Sequence, residues 1–326
     1  MNGPRFRFVA GASAAGLAAG ALPVMLFLAV FGTAGTILPG GAACPFRATG
    51  QLEQWIVLVT AFGVKPAYML LSLGLTVLLA RSRAADLLAL AWGLGLFLAG
   101  EAACAFNYVA LGGESLLWEY FHDYGMVAGF ACIAWSVMEG VDRRIIRFSG
   151  TRERCAALAL CRRCVKFDSA APCGLPRIFG FGLLALMVLA LLPLCAPLAP
   201  VAYTTEVARS TVTYAAPFAA QWFVLRYCPL FALALLAAAW GALQLRRDHE
   251  IAVPKLLLGA ALGPLGFSLM RQFLLATFRH DLVWYTAWEE ITELLFVLGV
   301  GLVLWTFRQG LFAPEPPAPL RPSPPA

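Results

Sequence analysis

Long apolar runs separated by short polar stretches set the pattern of this chain. Eight of them, 9–38, 54–80, 85–111, 119–139, 178–202, 217–244, 254–278 and 287–307, reach the ~20 residues that carry a helix across ~30 Å of hydrocarbon. The pattern predicts an all-α polytopic membrane protein with eight transmembrane helices. The first run is longer than the core of a cleaved signal peptide and is read as a span.

The runs repeat. Gln54-Trp55-Ile-Val-Leu58 recurs as Gln221-Trp222-Phe-Val-Leu225, 167 residues on, and from the third run the offset is 170. That offset pairs Leu87-Leu88 with Leu257-Leu258, Gly93 with Gly263, Phe97 with Phe267 and Trp118-Glu119 with Trp288-Glu289. Trp135 and Trp305 follow the two Trp-Glu pairs at the same distance, 17 residues. The expectation is two parallel four-helix repeats, 1–139 and 178–309, related by an axis along the membrane normal. A basic, Cys-rich linker, 140–177, joins them, and a Pro-rich tail, 310–326, is expected to be disordered.

Charge orients the bundle. With the N-terminus inside, 18 of the 24 Lys and Arg residues fall on the inner side, nine of them in the linker. Outer loops hold only Arg47, Arg209 and Arg279. The positive-inside bias puts both termini in the cytoplasm and the protein in the plasma (inner) membrane as a multi-pass chain. Composition agrees: 61% of residues are hydrophobic, 13% are charged, and the mean hydropathy is +0.78. A soluble domain carries nearer 25% charged residues. The net charge of +6 therefore reports topology, and nucleic acid is not an expected partner; the lipid bilayer is.

Charged residues inside the runs are the candidate chemistry, because ionisable groups at membrane depth are costly and usually face a bundle interior or a wet cavity. Glu101 and Arg271 occupy equivalent places in the repeats and are expected at matching depth, paired if that face is central. Glu119, His122 and Asp123 open the fourth run, and Glu289, Glu290 and Glu293 open the eighth. Asn107 lies nearer the outer surface, while Lys65 and Arg226 lie inside the second and sixth runs. Lys65-Pro66 is a candidate helix break at a binding site. Nearly all of these charges fall in the outer half, which predicts a polar chamber open to the extracytoplasmic side.

His122, Asp123, Glu101 and Arg271 are the candidate catalytic or proton-handling groups, since an imidazole between carboxylates relays protons or acts as a general base. Lys65, Asn107 and Arg226 are candidates for contacts to a bound cofactor such as a quinone. Glu119-x-x-His122 has the helical spacing of the ligand pair in di-iron bundles, with Glu290-x-x-Glu293 in place of the second pair, so these four are candidate metal ligands. The second histidine of that pattern is missing. The bland alternative is solvated acids at the helix entrance, with Trp118 and Trp288 as interfacial anchors.

Cys155, Cys161, Cys164 and Cys173 crowd the cytoplasmic linker, where disulfides are disfavoured and thiolates suit zinc or an iron–sulfur cluster. Their spacing matches no particular site. Three function classes follow. The first is a membrane redox or metal-centred protein handling a quinone, protons or a metal ion, with a redox partner. The second is a proton- or ion-coupled transporter with a central charged cavity. The third is a lipid-acting hydrolase or transferase using His122 and Asp123.

Overall fold

The computed structural model describes residues 45–113, 115–146, 175–217, 219–245 and 252–312. The expected first span, the linker cysteines and most of the Pro-rich tail lie outside the described residues. The described chain is mainly helical, and six of its helices are long and apolar enough to cross a membrane.

Helix α1 runs Gln51–Ala80, α2 Ala85–Leu111 and α3 Leu116–Gly140, the last continuing into a π-helical turn at Val141–Ile146. Helix α4 is Leu175–Cys195. Helix α5 is built from Ala219–Trp222, a π-helical turn at Phe223–Tyr227, and Cys228–Leu245. Helix α6 is Ala252–Phe278 and α7, the most acidic, is Leu282–Thr306, followed by a short α8, Arg308–Leu311. Seven of the eight expected spans thus fall on helices, and α7 is the one described span that does not count among the six membrane-length apolar helices.

Lys65-Pro66 does not break α1. The π-helical turn Thr60–Val64 precedes it, with the Lys65 N–H donating to Thr60 O, and the helix continues to Ala80. Proline has no N–H to give and crowds the preceding turn, and a wider turn absorbs both problems without a break. The same device recurs in α5, where the π-helical turn at Phe223–Tyr227 leads into Cys228-Pro229.

The expected fifth span runs to 202, but the helix stops at Cys195 and a β-hairpin follows. Strand β1, Val201–Val207, pairs antiparallel with β2, Ser210–Ala216, through a two-residue turn at Ala208 and Arg209, both at positive φ. Tyr203, Thr204, Thr205, Thr211, Val212 and Thr213 supply the β-branched and aromatic residues that favour strands. The hairpin is clamped to the helix ends by Arg47. That guanidinium binds Glu53 at 2.8 Å, Asp281 at 2.7 Å and the Tyr203 hydroxyl at 3.1 Å, while Arg47 N–H donates to Thr204 O.

Helix α3 is the centre of the bundle because glycines let two neighbours come close. A Cβ on Gly93 of α2 would sit 2.9 Å from Gly129 O, and one on Gly125 of α3 would sit 2.6 Å from Gly100 Cα. On the other side, a Cβ on Gly263 of α6 would meet Ala131 N at 2.4 Å and Val127 O at 2.6 Å. The equivalent glycines of the repeat, 93 and 263, therefore both seat on α3, rather than one on α3 and one on α7. Small residues at such seams allow the close backbone packing that holds membrane helices together. Aromatic rings fill the space between α1, α2, α3, α6 and α7: Phe97 packs on Tyr68, Phe130 and Phe296, and Phe130 also on Phe267. Helices α4 and α5 pack outside α6 through Leu183, Ala190, Leu236, Leu243 and Leu265.

The surface is inverted relative to a water-soluble protein. Phe62 is 78% exposed and Val109 88%, while Glu101 and Asn107 are fully buried. At the end of the bundle away from the hairpin, buried ion pairs fasten the helix ends. Asp86 accepts from Arg144 at 2.5 and 2.9 Å, and Lys255 binds Glu139 at 2.5 Å and Asp142 at 2.6 Å, with Arg143 also on Glu139.

Two outcomes test this architecture. Gly263→Ala puts a methyl against backbone and is expected to cost about 1–3 kcal/mol as overpacking, while Gly266→Ala, with open space around it, should be near neutral; thermal unfolding in detergent compares them. The second concerns Asp281, outside the helices. Partial burial works against its charge, and hydrogen bonds from Arg47 and the Trp284 N–H outweigh that and hold its carboxyl below the ordinary range. A depressed carboxyl stabilises the fold above its unfolded value of about 3.9 and loses that contribution as pH falls through the lower folded value. The melting-temperature gap between wild type and Asp281→Asn should therefore be largest near neutral pH and close below about pH 4.

Candidate functional site

Five helices point ionisable side chains into one interior region, between mid-bundle and the hairpin end. Lys65 and Tyr68 come from α1, Glu101 from α2, and Glu119, His122 and Asp123 from α3. Arg271 comes from α6, and Glu289, Glu290 and Glu293 from α7.

The π-helical turn before Lys65 brings it and Tyr68, one helical turn on, to the same interior face. The Lys65 ammonium lies 2.5 Å from Glu101 Oε2 and 3.0 Å from Glu290 Oε1. The Tyr68 hydroxyl contacts the same two carboxyl groups, at 2.5 Å from Glu101 Oε2 and 2.7 Å from Glu290 Oε2. Glu293, one turn beyond Glu290, is 3% exposed and its Oε2 has no hydrogen-bond partner. One carboxylate oxygen each from Glu101, Glu290 and Glu293 lie within 4.8 Å of one another.

A second group surrounds Arg271. Its guanidinium is 3.1 Å from Asp123 Oδ1 and 3.0 Å from Glu289 Oε1, and lies over the Phe267 ring at 4.5 Å. These contacts are close enough for ion pairing, yet Asp123, Glu289 and the Arg271 Nε and Nη1 atoms lack hydrogen-bond geometry. They hold by charge rather than by aligned donors.

His122 stands between the two groups. Its Nδ1 is 3.2 Å from Gly100 O and 3.3 Å from Glu101 Oε1, and its Nε2 is 3.4 Å from Arg271 Nη2. Two acceptors around Nδ1 and a donor at Nε2 assign the neutral tautomer with the proton on Nδ1. The direct Glu101–Arg271 pair expected from the repeat is replaced by this imidazole bridge. The two residues come from equivalent helices, but both helices lean on α3, so an α3 side chain fills the space between them.

The remaining candidates separate. Glu119 is buried rather than solvated at the helix entrance, and its Oε1 accepts from Asn107 Nδ2 at 2.7 Å. Asn107 Oδ1 in turn accepts the Ser115 N–H, so Asn107 fixes the α2–α3 corner. The ligand set Glu119, His122, Glu290 and Glu293 is not gathered in one place. Among the described residues the trio that converges is Glu101, Glu290 and Glu293. Arg226 is away from the network: it donates to Pro193 O, to Leu194 O at 3.1 Å and to Ala196 O at 2.6 Å, capping the C-terminus of α4. Cys155, Cys161, Cys164 and Cys173 lie outside the described residues; Cys104, Cys132, Cys195 and Cys228 are free thiols on four helices.

Tyr68 was not among the candidates. Its signal in the sequence is the spacing Lys65-x-x-Tyr68, which puts a hydroxyl on the same face as an intramembrane cation. No protein-family model, curated protein or solved structure matches the chain.

Counted over the network, six carboxyl groups (Glu101, Glu119, Asp123, Glu289, Glu290 and Glu293) face two permanent cations, Lys65 and Arg271. Removing the cation from a buried group costs more than removing the whole group, because it strands its partners. Arg271→Gln is expected to destabilise the protein by about 3–5 kcal/mol, and combining it with Asp123→Asn and Glu289→Gln should recover most of the loss. Yield and melting temperature of the single and triple variants in detergent check both statements.

Proposed function

We propose that the protein is a multi-pass plasma-membrane protein that binds and releases ions in its central charged network, as a proton- or cation-coupled transporter does. In this reading 9–38 is the first of eight spans, both termini are cytoplasmic, and the hairpin end faces outward. The distribution of Lys and Arg supports that orientation. The duplicated sequence supports descent from a four-helix unit.

The observation that carries the reading is the excess, among the described residues, of buried carboxyl groups over cations. A fixed structural network has no reason to bury charge that its own side chains leave unbalanced, since each uncompensated ion in low dielectric costs several kcal/mol. The balance is completed by protons or cations taken up from outside. At the opposite end of the bundle Asp86, Glu139 and Asp142 are matched by Arg143, Arg144 and Lys255, so the imbalance is confined to the centre.

His122 gives the network its internal path. A proton arriving on Nε2 turns that atom into a donor facing Arg271 Nη2, so the guanidinium moves toward Asp123 and Glu289. The Nδ1 proton is then free to pass to Glu101 Oε1. The net result is one proton moved from the Arg271 side to the Lys65 side, with the imidazole left neutral as the Nε2-H tautomer until a ring flip or tautomer exchange resets it.

The redox reading rests on the linker cysteines together with the Glu119-x-x-His122 pair; the cysteines lie outside the described residues, and that pair is not part of the carboxyl trio that converges. The hydrolase reading needs a hydroxyl or thiol at His122, and among the described residues its close neighbours are Gly100 O, Glu101 and Arg271.

Solid-supported membrane electrophysiology tests the proposal without knowing the transported species. Proteoliposomes jumped from pH 7.5 to pH 6 should give a transient charge displacement as the network takes up protons. The double variant Glu290→Gln, Glu293→Gln should fall to the level of protein-free liposomes. A folded wild-type protein that gives no displacement would remove the proposal.

A further inference from the structure

The Lys65 group has the donors of a metal site. Glu101, Glu290 and Glu293 bring three carboxyl groups within 4.8 Å, and the Tyr68 hydroxyl adds a fourth oxygen in contact with two of them. One observation points to a ligand beyond the protein's own groups. Glu293 Oε2 is buried without a hydrogen-bond partner, on a residue 3% exposed. Tyr68 has a single hydroxyl hydrogen, so only one of its contacts with Glu101 Oε2 at 2.5 Å and Glu290 Oε2 at 2.7 Å is a donation; the other is held by a carboxyl proton or a cation, and the Lys65 ammonium already donates to the phenol oxygen at 3.1 Å.

We propose that Glu101, Glu290, Glu293 and Tyr68 form a binding site for a hard divalent cation, and that the Lys65 ammonium is a tethered counter-ion which the cation displaces. This rests on the ion-coupled reading and names the ion class for that same site.

The donor set decides the class. Four oxygens and no sulfur select Mg²⁺, Mn²⁺ or Ca²⁺ over soft metals. Charge decides the valence. Three carboxylates and one ammonium leave two negative charges uncompensated. Exchanging the ammonium for a monovalent ion leaves two, while a divalent ion leaves one. Exchange is required because Lys65 Nζ sits between Glu101 and Glu290, too near for a second cation to share those oxygens. Lys65 is placed to move: its side chain is 14% exposed, its stem is a flexible four-carbon chain, and it directly follows the π-helical turn at Thr60–Val64.

The full-length protein in lipid nanodiscs at pH 7.5, titrated with Mn²⁺ and followed by the loss of the free-Mn²⁺ electron paramagnetic resonance signal, tests the site. Wild type should bind Mn²⁺ saturably, with Mg²⁺ or Ca²⁺ competing. Lys65→Met, which removes the competing ammonium, should tighten binding on the order of tenfold or more, and Glu293→Gln should weaken it by a similar factor. Mn²⁺ should also raise the melting temperature of Lys65→Met more than that of wild type, a readout that survives poor yield. Binding that is unchanged in Glu293→Gln, or no tighter in Lys65→Met, overturns the proposal. Should Lys65→Met fail to accumulate, the comparison of Glu293→Gln with wild type decides it. A pH-jump displacement that persists in a protein binding no Mn²⁺ overturns the divalent site and leaves proton coupling standing.

Discussion

The Lys65 ammonium reaches from α1 between Glu101 of α2 and Glu290 of α7, and that contact joins three helices which glycine packing alone does not bring together. α2, α3 and α6 are pressed together backbone to backbone at Gly93, Gly125, Gly129 and Gly263. α7 has no such seam with α3, since nothing lies within 4 Å of a Cβ built on Gly299, and a Cβ on Gly301 would reach only the tip of Leu75 of α1. In hydrocarbon, apolar contact between helices gains little over contact with lipid. Charge ties α7 to the rest alongside apolar packing: Val297 and Leu304 are buried in the main core, and the Phe296 ring lies against Phe97 and Phe130. A helix held by ions is also a helix whose position depends on which ions are present.

That dependence separates the bundle into a fixed part and an adjustable part. At the end away from the hairpin, acids and bases match, and the Asp86–Arg144 and Lys255–Glu139–Asp142 contacts fasten α2, α3 and α6. At the hairpin end, Arg47 gathers α1, β1 and the start of α7 through Glu53, Tyr203 and Asp281. Between them the carboxyl groups outnumber the cations. A protein that needed only to be stable would do better with apolar side chains there, because buried ion pairs repay their desolvation poorly even when balanced. The unbalanced centre between two fastened ends is therefore the part that function has shaped.

Much of this was legible in the sequence, for a physical reason. Apolar runs long enough for hydrocarbon are a strong signal, and seven of the eight fall on helices; charges inside such runs are rare enough to stand out, which is how Lys65, Glu101, His122, Arg271, Glu290 and Glu293 came to notice. What the sequence hid was which charge meets which. The repeat placed Glu101 opposite Arg271, but it says nothing of both parent helices leaning on α3, which puts His122 between them. Arg226 was expected as an intramembrane contact to a cofactor, yet it caps α4, because the hairpin ends that helix seven residues short of the expected span and leaves carbonyls nearby. The hairpin itself was readable in the Thr, Val and Tyr residues between 203 and 214, but an apolar count blends such a strand into the neighbouring helix.

The tautomer of His122 draws these threads together. With the proton on Nδ1, a neutral ring stands between the imbalance on the Lys65 side and the ion pairs on the Arg271 side, touching Glu101 through Nδ1 and Arg271 through Nε2. His122 has no counterpart in the second repeat, where Thr292 bonds to Glu289 O and Met270 Sδ. Of the two Trp-Glu helices, α3 alone carries an imidazole, and that ring is what brings the Glu101 and Arg271 groups into one network.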